Sequence, residues 1–76
     1  MITENQIKYL GFELVKEYNH DHFRTVRYKK SAMSFECTYD GEELVSSDLS
    51  IEKIDYTEIN FEDLEDLNRI LGGINQ

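Results

Sequence analysis

Proline is absent from this 76-residue chain, and cysteine occurs once, as Cys37. No proline-rich or low-complexity stretch marks a linker, so the composition shows no boundary and predicts a single domain over residues 1–76. One cysteine excludes an internal disulfide framework and makes a reducing, cytoplasmic compartment the expectation. Long apolar runs are missing as well, so neither a membrane span nor a signal-peptide core is predicted. There is no glycine-rich phosphate loop and no dinucleotide fingerprint, since Gly72-Gly73 reads as a helix stop. Cations are scarce: sixteen Asp and Glu stand against eight Lys and Arg, for a formal net charge of −8. That balance argues against a general nucleic-acid binder, whose phosphate contacts need positive charge.

What is present suffices for a fold. Leu, Ile, Val and Phe make up more than a quarter of the chain, above the roughly 20% below which disorder is expected. A chain this short still buries only about 60% of its unfolded surface. A partner or a second copy is the available supplement to its core.

The opening residues carry the end signals of a short helix. Thr3 and Gln6 fit a capping box, Ile2 and Ile7 a hydrophobic staple, and Gly11 with Phe12 a left-handed stop. Period-two segments follow. In the first, Phe12, Leu14 and Tyr18 are read on one face and Glu13 and Glu17 on the other. Asn19 to His22 is read as a turn, Phe23 to Lys29 as a strand and Lys30 to Ala32 as a turn. Met33, Phe35, Cys37 and Tyr39 then alternate with polar residues. Asp40-Gly41 is read as a type I′ hairpin turn. Glu42 to Ser46 is predicted to pair back, Ser47-Asp48 to break the run, and Leu49 to Ile54 to form a fifth short strand. A second helix is predicted over about residues 61–71, capped by Asn60 with Asp63, burying Leu64, Leu67 and Leu71 and pairing Glu65 with Arg69. The expected fold is α+β: an antiparallel β-meander of four to five strands, with a short N-terminal helix and a C-terminal helix packed on one face.

Charge divides the chain. Residues 1–35 hold six of the eight cations, and residues 36–76 hold twelve of the sixteen carboxylates. No Lys or Arg lies between Ser31 and Glu52, nor from Ile54 to Asn68. Folding is expected to gather the carboxylates within a Debye length, about 8–10 Å, so that they act on a partner as one field. Glu42, Glu43, Glu58, Glu62, Glu65 and Asp66 are the expected contacts for a cationic protein surface. The alternative is an RNA- or ribonucleoprotein-contacting strip made of Arg24, Arg27, Lys29 and Lys30, interleaved with Phe23 and Tyr28. A structural, self-associating subunit, a homodimer for example, is a further reading. Cys37 is expected to be a small buried hydrophobe rather than a nucleophile. His20-Asp21-His22 supplies too few ligands for a closed zinc site, so no metal, cofactor or catalytic residue is expected.

The capped helix running into Leu10-Gly11-Phe12, the tyrosine-rich meander and the acidic terminal segment FEDLEDLNRIL resemble the small acidic proteins encoded by phages and prophages. They are similar in size and charge to inhibitors of the anti-CRISPR and anti-restriction type. The resemblance implies a non-enzymatic protein that occupies the nucleic-acid-binding surface, or a moving part, of a host effector or its RNA complex.

Overall fold

A computed structural model describes residues 1–52 and 56–72. It contains α1 (Glu4–Tyr9), β1 (Glu13–His20), β2 (Phe23–Lys30), β3 (Met33–Asp40), β4 (Glu43–Ile51), β5 (Thr57–Glu58) and α2 (Phe61–Leu67), followed by a wide helical turn, Asn68–Gly72. The five strands form one antiparallel sheet in the order of the sequence. The architecture is therefore the expected α+β meander flanked by two helices.

Local chemistry sets α1. Thr3 Oγ1 accepts from the Gln6 amide at 3.3 Å, and Gln6 Oε1 accepts from the Thr3 amide at 2.9 Å, which satisfies two donors left over at the helix start. At the other end the Phe12 amide donates to the Ile7 carbonyl and the Gly11 amide to that of Lys8, the paired bonds of a Schellman stop. Gly11 has φ 96°, and a Cβ there would lie 3.0 Å from Lys30 Nζ. That ammonium donates to the Leu10 carbonyl at 2.6 Å and ties the helix end to β2.

The inner face of the sheet carries Val26 and Tyr28 of β2, Met33, Phe35 and Cys37 of β3, and Leu49 of β4. Ile7 of α1 and Leu64 of α2 close over it, both with no exposed surface. Phe12 meets Phe35 edge to face, with centroids 6.4 Å apart. Both helices thus cover one face; the other carries no helix among the described residues, and Tyr56, just ahead of β5, lies over part of it with its ring centroid 5.8 Å from the Arg27 guanidinium.

Several expectations are corrected, mostly by bulges. In β1 the register jumps from Leu14↔Tyr28 to Lys16↔Arg27, leaving Val15 unopposed. One extra residue exchanges the faces beyond it. Glu17 therefore shares the inner face with Val26, and Tyr18 lies outside, while Leu14 is 56% exposed. In β4 the register jumps from Ser46 to Leu44, leaving Val45 unopposed. Ser47 and Asp48 do not break this strand; it runs through to Ile51. Ser47 is buried at no loss of hydrogen bonding, because its hydroxyl donates to the Ile2 carbonyl at 2.6 Å. Leu49 and Ile51 belong to β4, and the fifth strand is Thr57–Glu58, opposite Leu49 and Asp48. Ile54 lies outside the described residues. Arg69 pairs with Asp66 at 2.6 Å rather than with Glu65. The second helix gives way after Leu67 to the wide turn. Asn60 caps it as expected, its Oδ1 accepting from the Asp63 amide at 2.8 Å.

The first two turns are shorter than the sequence suggested, the third is shifted by one residue, and all three are regularly spaced. Their two central residues are Asp21-His22, Ser31-Ala32 and Gly41-Glu42. The first of each pair is left-handed, with φ 57°, 52° and 65°, so the β3–β4 turn begins at Gly41 and not at Asp40, and it lacks the two left-handed residues of a type I′ turn. With Gly11, the left-handed positions fall every ten residues; the next, Glu52, comes one residue late, after the strand that holds the Val45 bulge. Ser is poorly suited to φ 52°, since Cβ crowds the following carbonyl there. Ser31→Gly is expected to stabilise the domain by about 1 kcal/mol and raise the melting temperature by about 4–8 °C. Calorimetry showing no rise would mean that Ser31 carries no strain.

Candidate functional site

Of the six carboxylates singled out in the sequence, three share the solvent side of α2, and a fourth, Glu58, stands on β5 just ahead of that helix, on the face of the sheet that α2 does not cover. β5 runs through Ile59 and the Asn60 cap directly into α2, so Glu58 lies four residues ahead of Glu62. Glu62, Glu65 and Asp66 stand on the solvent side of α2, while Leu64 points into the core. Glu62 also sits in the first turn, where the helix dipole favours negative charge. Glu42 and Glu43 are exposed at the β3–β4 turn. Along β4, Glu43 and Asp48 (the residue opposite Glu58) are five residues apart, about 17 Å at ~3.3 Å per residue. That is about two Debye lengths at physiological salt, so the turn and the β5–α2 end act as separate anionic surfaces. Among the described residues, Glu42, Glu43, Glu58, Glu62 and Glu65 form no ion pair.

An open cleft of about 590 Å³ borders the larger group. Ile2 and Gln6 line one side, and Ile59, Asn60 and Phe61 the other, with Glu58 at its margin. Ile59 and Phe61 are half-buried against the core. Apolar surface thus adjoins the carboxylates, an arrangement sequence reasoning missed because the cleft joins the two ends of the fold.

The basic residues are divided. Alternation along β2 places Arg24 and Lys30 on the inner face and Arg27 and Lys29 on the outer one. Arg24 Nη1 lies 3.3 Å from Glu17 Oε2, and its guanidinium sits 4.4 Å from the Tyr39 ring centroid. Arg27 Nε donates to Glu36 Oε2 at 2.8 Å, and Nη2 bonds the same oxygen. Lys30 serves the Leu10 carbonyl. Lys29 is exposed, opposite Glu13. Phe23 is half-buried and Tyr28 buried, so no single strip of cations and free rings is formed.

Sequence reasoning also missed Asp48, having read it as a strand break. It lies between Glu36 and Glu58 on the outer face. Burial pushes its carboxyl above the usual range, and the charges of Glu58 and Glu36 push it further the same way.

The nucleophile and metal candidates are also located. Cys37 is buried, and burial pushes its thiol up to about 11 despite a contact from the Ser47 hydroxyl, so it is a protonated thiol at neutral pH. His22 stands at the β1–β2 turn with Nε2 3.6 Å from Asp40 Oδ1 and its ring against Phe23. Among the described residues no three His, Cys, Asp or Glu side chains are grouped to hold a metal ion. No helix among them is long and apolar enough to cross a membrane. Set beside known protein families, curated proteins and solved structures, the chain matches none of them.

Proposed function

We propose that this is a non-enzymatic, phage- or mobile-element-encoded inhibitor of the anti-CRISPR or anti-restriction type, acting in the cytoplasm. Its anionic surfaces engage a nucleic-acid-binding host effector, or that effector's RNA complex, where nucleic acid would otherwise lie. One observation carries the reading. Arg24, Arg27, Lys30 and Arg69 are each engaged by groups of the protein itself, whereas Glu42, Glu43, Glu58, Glu62 and Glu65 have no cationic partner among the described residues. The five carboxylates outnumber the exposed Lys8, Lys16 and Lys29, which also form no ion pair among the described residues, so the unpaired charge offered outward is negative on balance. Opposite charge accelerates encounter with a cationic groove, and the apolar cleft beside Glu58 supplies contact area that a carboxylate cannot.

The test uses the protein as bait in host cytosol, beside a variant with Glu62, Glu65 and Asp66 all changed to Lys. Effectors held by the wild type should be nucleic-acid-binding proteins and should be displaced by nucleic acid. The variant, folded by circular dichroism, should bind them at least about tenfold more weakly at physiological salt. Equal binding by the variant, or captured proteins that nucleic acid does not displace, would refute the proposal.

A further inference from the structure

One row of directly opposed residues crosses all five strands: Lys16 on β1, Arg27 on β2, Glu36 on β3, Asp48 on β4 and Glu58 on β5. Directly opposed residues of antiparallel strands share a face, and this is the face without helices. The signs run plus, plus, minus, minus, minus. Like charges set directly opposite each other destabilise a sheet, yet Lys16 faces Arg27, Glu36 faces Asp48, and Asp48 faces Glu58. Among the described residues, Arg27–Glu36 is the one pair of this row joined by an ion pair. The two ends of the row, Lys16 and Glu58, are exposed. Four strand spacings separate them, about 19 Å, too far to neutralise each other across a Debye length of about 8 Å.

We propose that this outer sheet face is a self-complementary interface on which a second copy of the chain docks about a two-fold axis. Take the axis parallel to the strands and passing over Glu36. Half a turn about it brings the second face onto the first and reverses the row. Lys16 then meets Glu58 of the partner subunit, and Arg27 meets Asp48 of the partner subunit. Symmetry makes each contact twice, as an isologous interface requires. Arg27 uses Nε and Nη2 on Glu36, and a guanidinium has five donors, so donors remain for a second carboxylate. Glu36 lies on the axis, where its charge is already answered by Arg27 and its oxygen accepts from the Tyr18 hydroxyl.

Face-to-face sheets align their strands within about 30°, which suits this axis. Four strands of eight or nine residues and a fifth of two present roughly 550 Å² per copy, so the pair buries about 1,100 Å², just below the standard size of specific interfaces. The dimer is accordingly a weak one. The carboxylates of α2 lie on the far side of the sheet and stay free in it. The inference goes beyond the inhibitor reading and stands without it, because its test needs no effector.

The experiment measures molar mass by sedimentation over a concentration series at about 0.15 M salt, where the long-range repulsion of net charge is screened. The wild type should move toward twice the monomer mass as concentration rises. Lys16→Glu alone sets carboxylate against carboxylate at both ends, and Glu58→Lys alone sets ammonium against ammonium. Each should raise the dimer dissociation constant at least about tenfold. An equal mixture of the two variants should recover the dimer, because every end contact between unlike variants is again of opposite sign. Misfolding cannot imitate that recovery. A wild type that stays monomeric would overturn the proposal, as would a mixture that fails to recover. A dimer that survives both reversals would also overturn it, and would point instead to pairing along the free edge of β1.

Discussion

Phe35→Ala should cost about 3–5 kcal/mol, the range for deleting a fully buried ring. Phe35 has no exposed surface and lies on the central strand of the sheet. It is flanked directly by Tyr28 on β2 and Leu49 on β4, and its ring meets Phe12 edge to face. The cavity would open between the sheet and the helical layer, with β2 and β4 held in register by the ladder on either side, so little can collapse into it. A domain of this length has a total stability of roughly 4–11 kcal/mol. The substitution therefore removes a large share and should leave a detectable unfolded population at ambient temperature. Urea denaturation with unchanged slope and a lower midpoint is the expected result. A loss under about 1 kcal/mol would show that Phe35 is not the centre of the core.

The second large effect belongs to Glu4. Its carboxylate accepts hydrogen bonds from both Tyr28 and Tyr39, on neighbouring strands, so one side chain fastens α1 to the sheet. Burial alone would raise its pKa; the two phenol hydrogen bonds, with the charges of Arg24 and Lys8, outweigh that and hold it below the ordinary 4.5. A carboxyl with a depressed folded pKa stabilises the fold above its unfolded value, and that contribution is lost as pH falls through the folded value. The phenols lie on the opposite limb. Burial, then the bond to Glu4, raises both above the ordinary 10.0, so their contribution is present below pH 10 and is lost as pH rises beyond it. Glu4→Ala should cost about 2–4 kcal/mol near neutrality, since it removes two charge-assisted bonds and leaves two phenols unpaired. It should also flatten the stability profile as pH falls below the ordinary carboxyl value of 4.5. Denaturation at a series of pH values reads both effects. An unchanged acid limb in the variant would show that Glu4 is not the titrating anchor.

The meander, the helices and their caps were legible because their signals are local. Thr3, Gln6 and Gly11 act within one turn of helix, and the alternation of Met33, Phe35 and Cys37 is direct. The bulges were not legible. Val15 and Val45 are β-branched residues within ordinary strand composition, and which residue goes unopposed depends on the partner strand. From those two positions followed the misplacement of Tyr18 and the misreading of Ser47 and Asp48. β5 has only two residues, too few for any period to show. The acidic character of the second half was plain in the sequence, yet its division between the β3–β4 turn and the β5–α2 end depends on distance along a strand. The splitting of Arg24 and Lys30 from Arg27 and Lys29 was latent in the two-residue period of β2. The link from Glu4 to Tyr28 and Tyr39 spans 24 and 35 residues, and no local pattern announces it.

Every strand of the sheet is bonded only to strands adjacent in the sequence. During synthesis each hairpin therefore finds its mate as soon as the next ten or so residues emerge, and no strand waits for a distant segment. Such topologies lower the entropy of loop closure and favour rapid folding. The one delayed step is the arrival of Leu64, which cannot cap the apolar face until most of the chain has left the ribosome. Until then only the N-terminal helix covers that face, and it is the stage at which a nascent chain of this design is most exposed to chaperones and proteases.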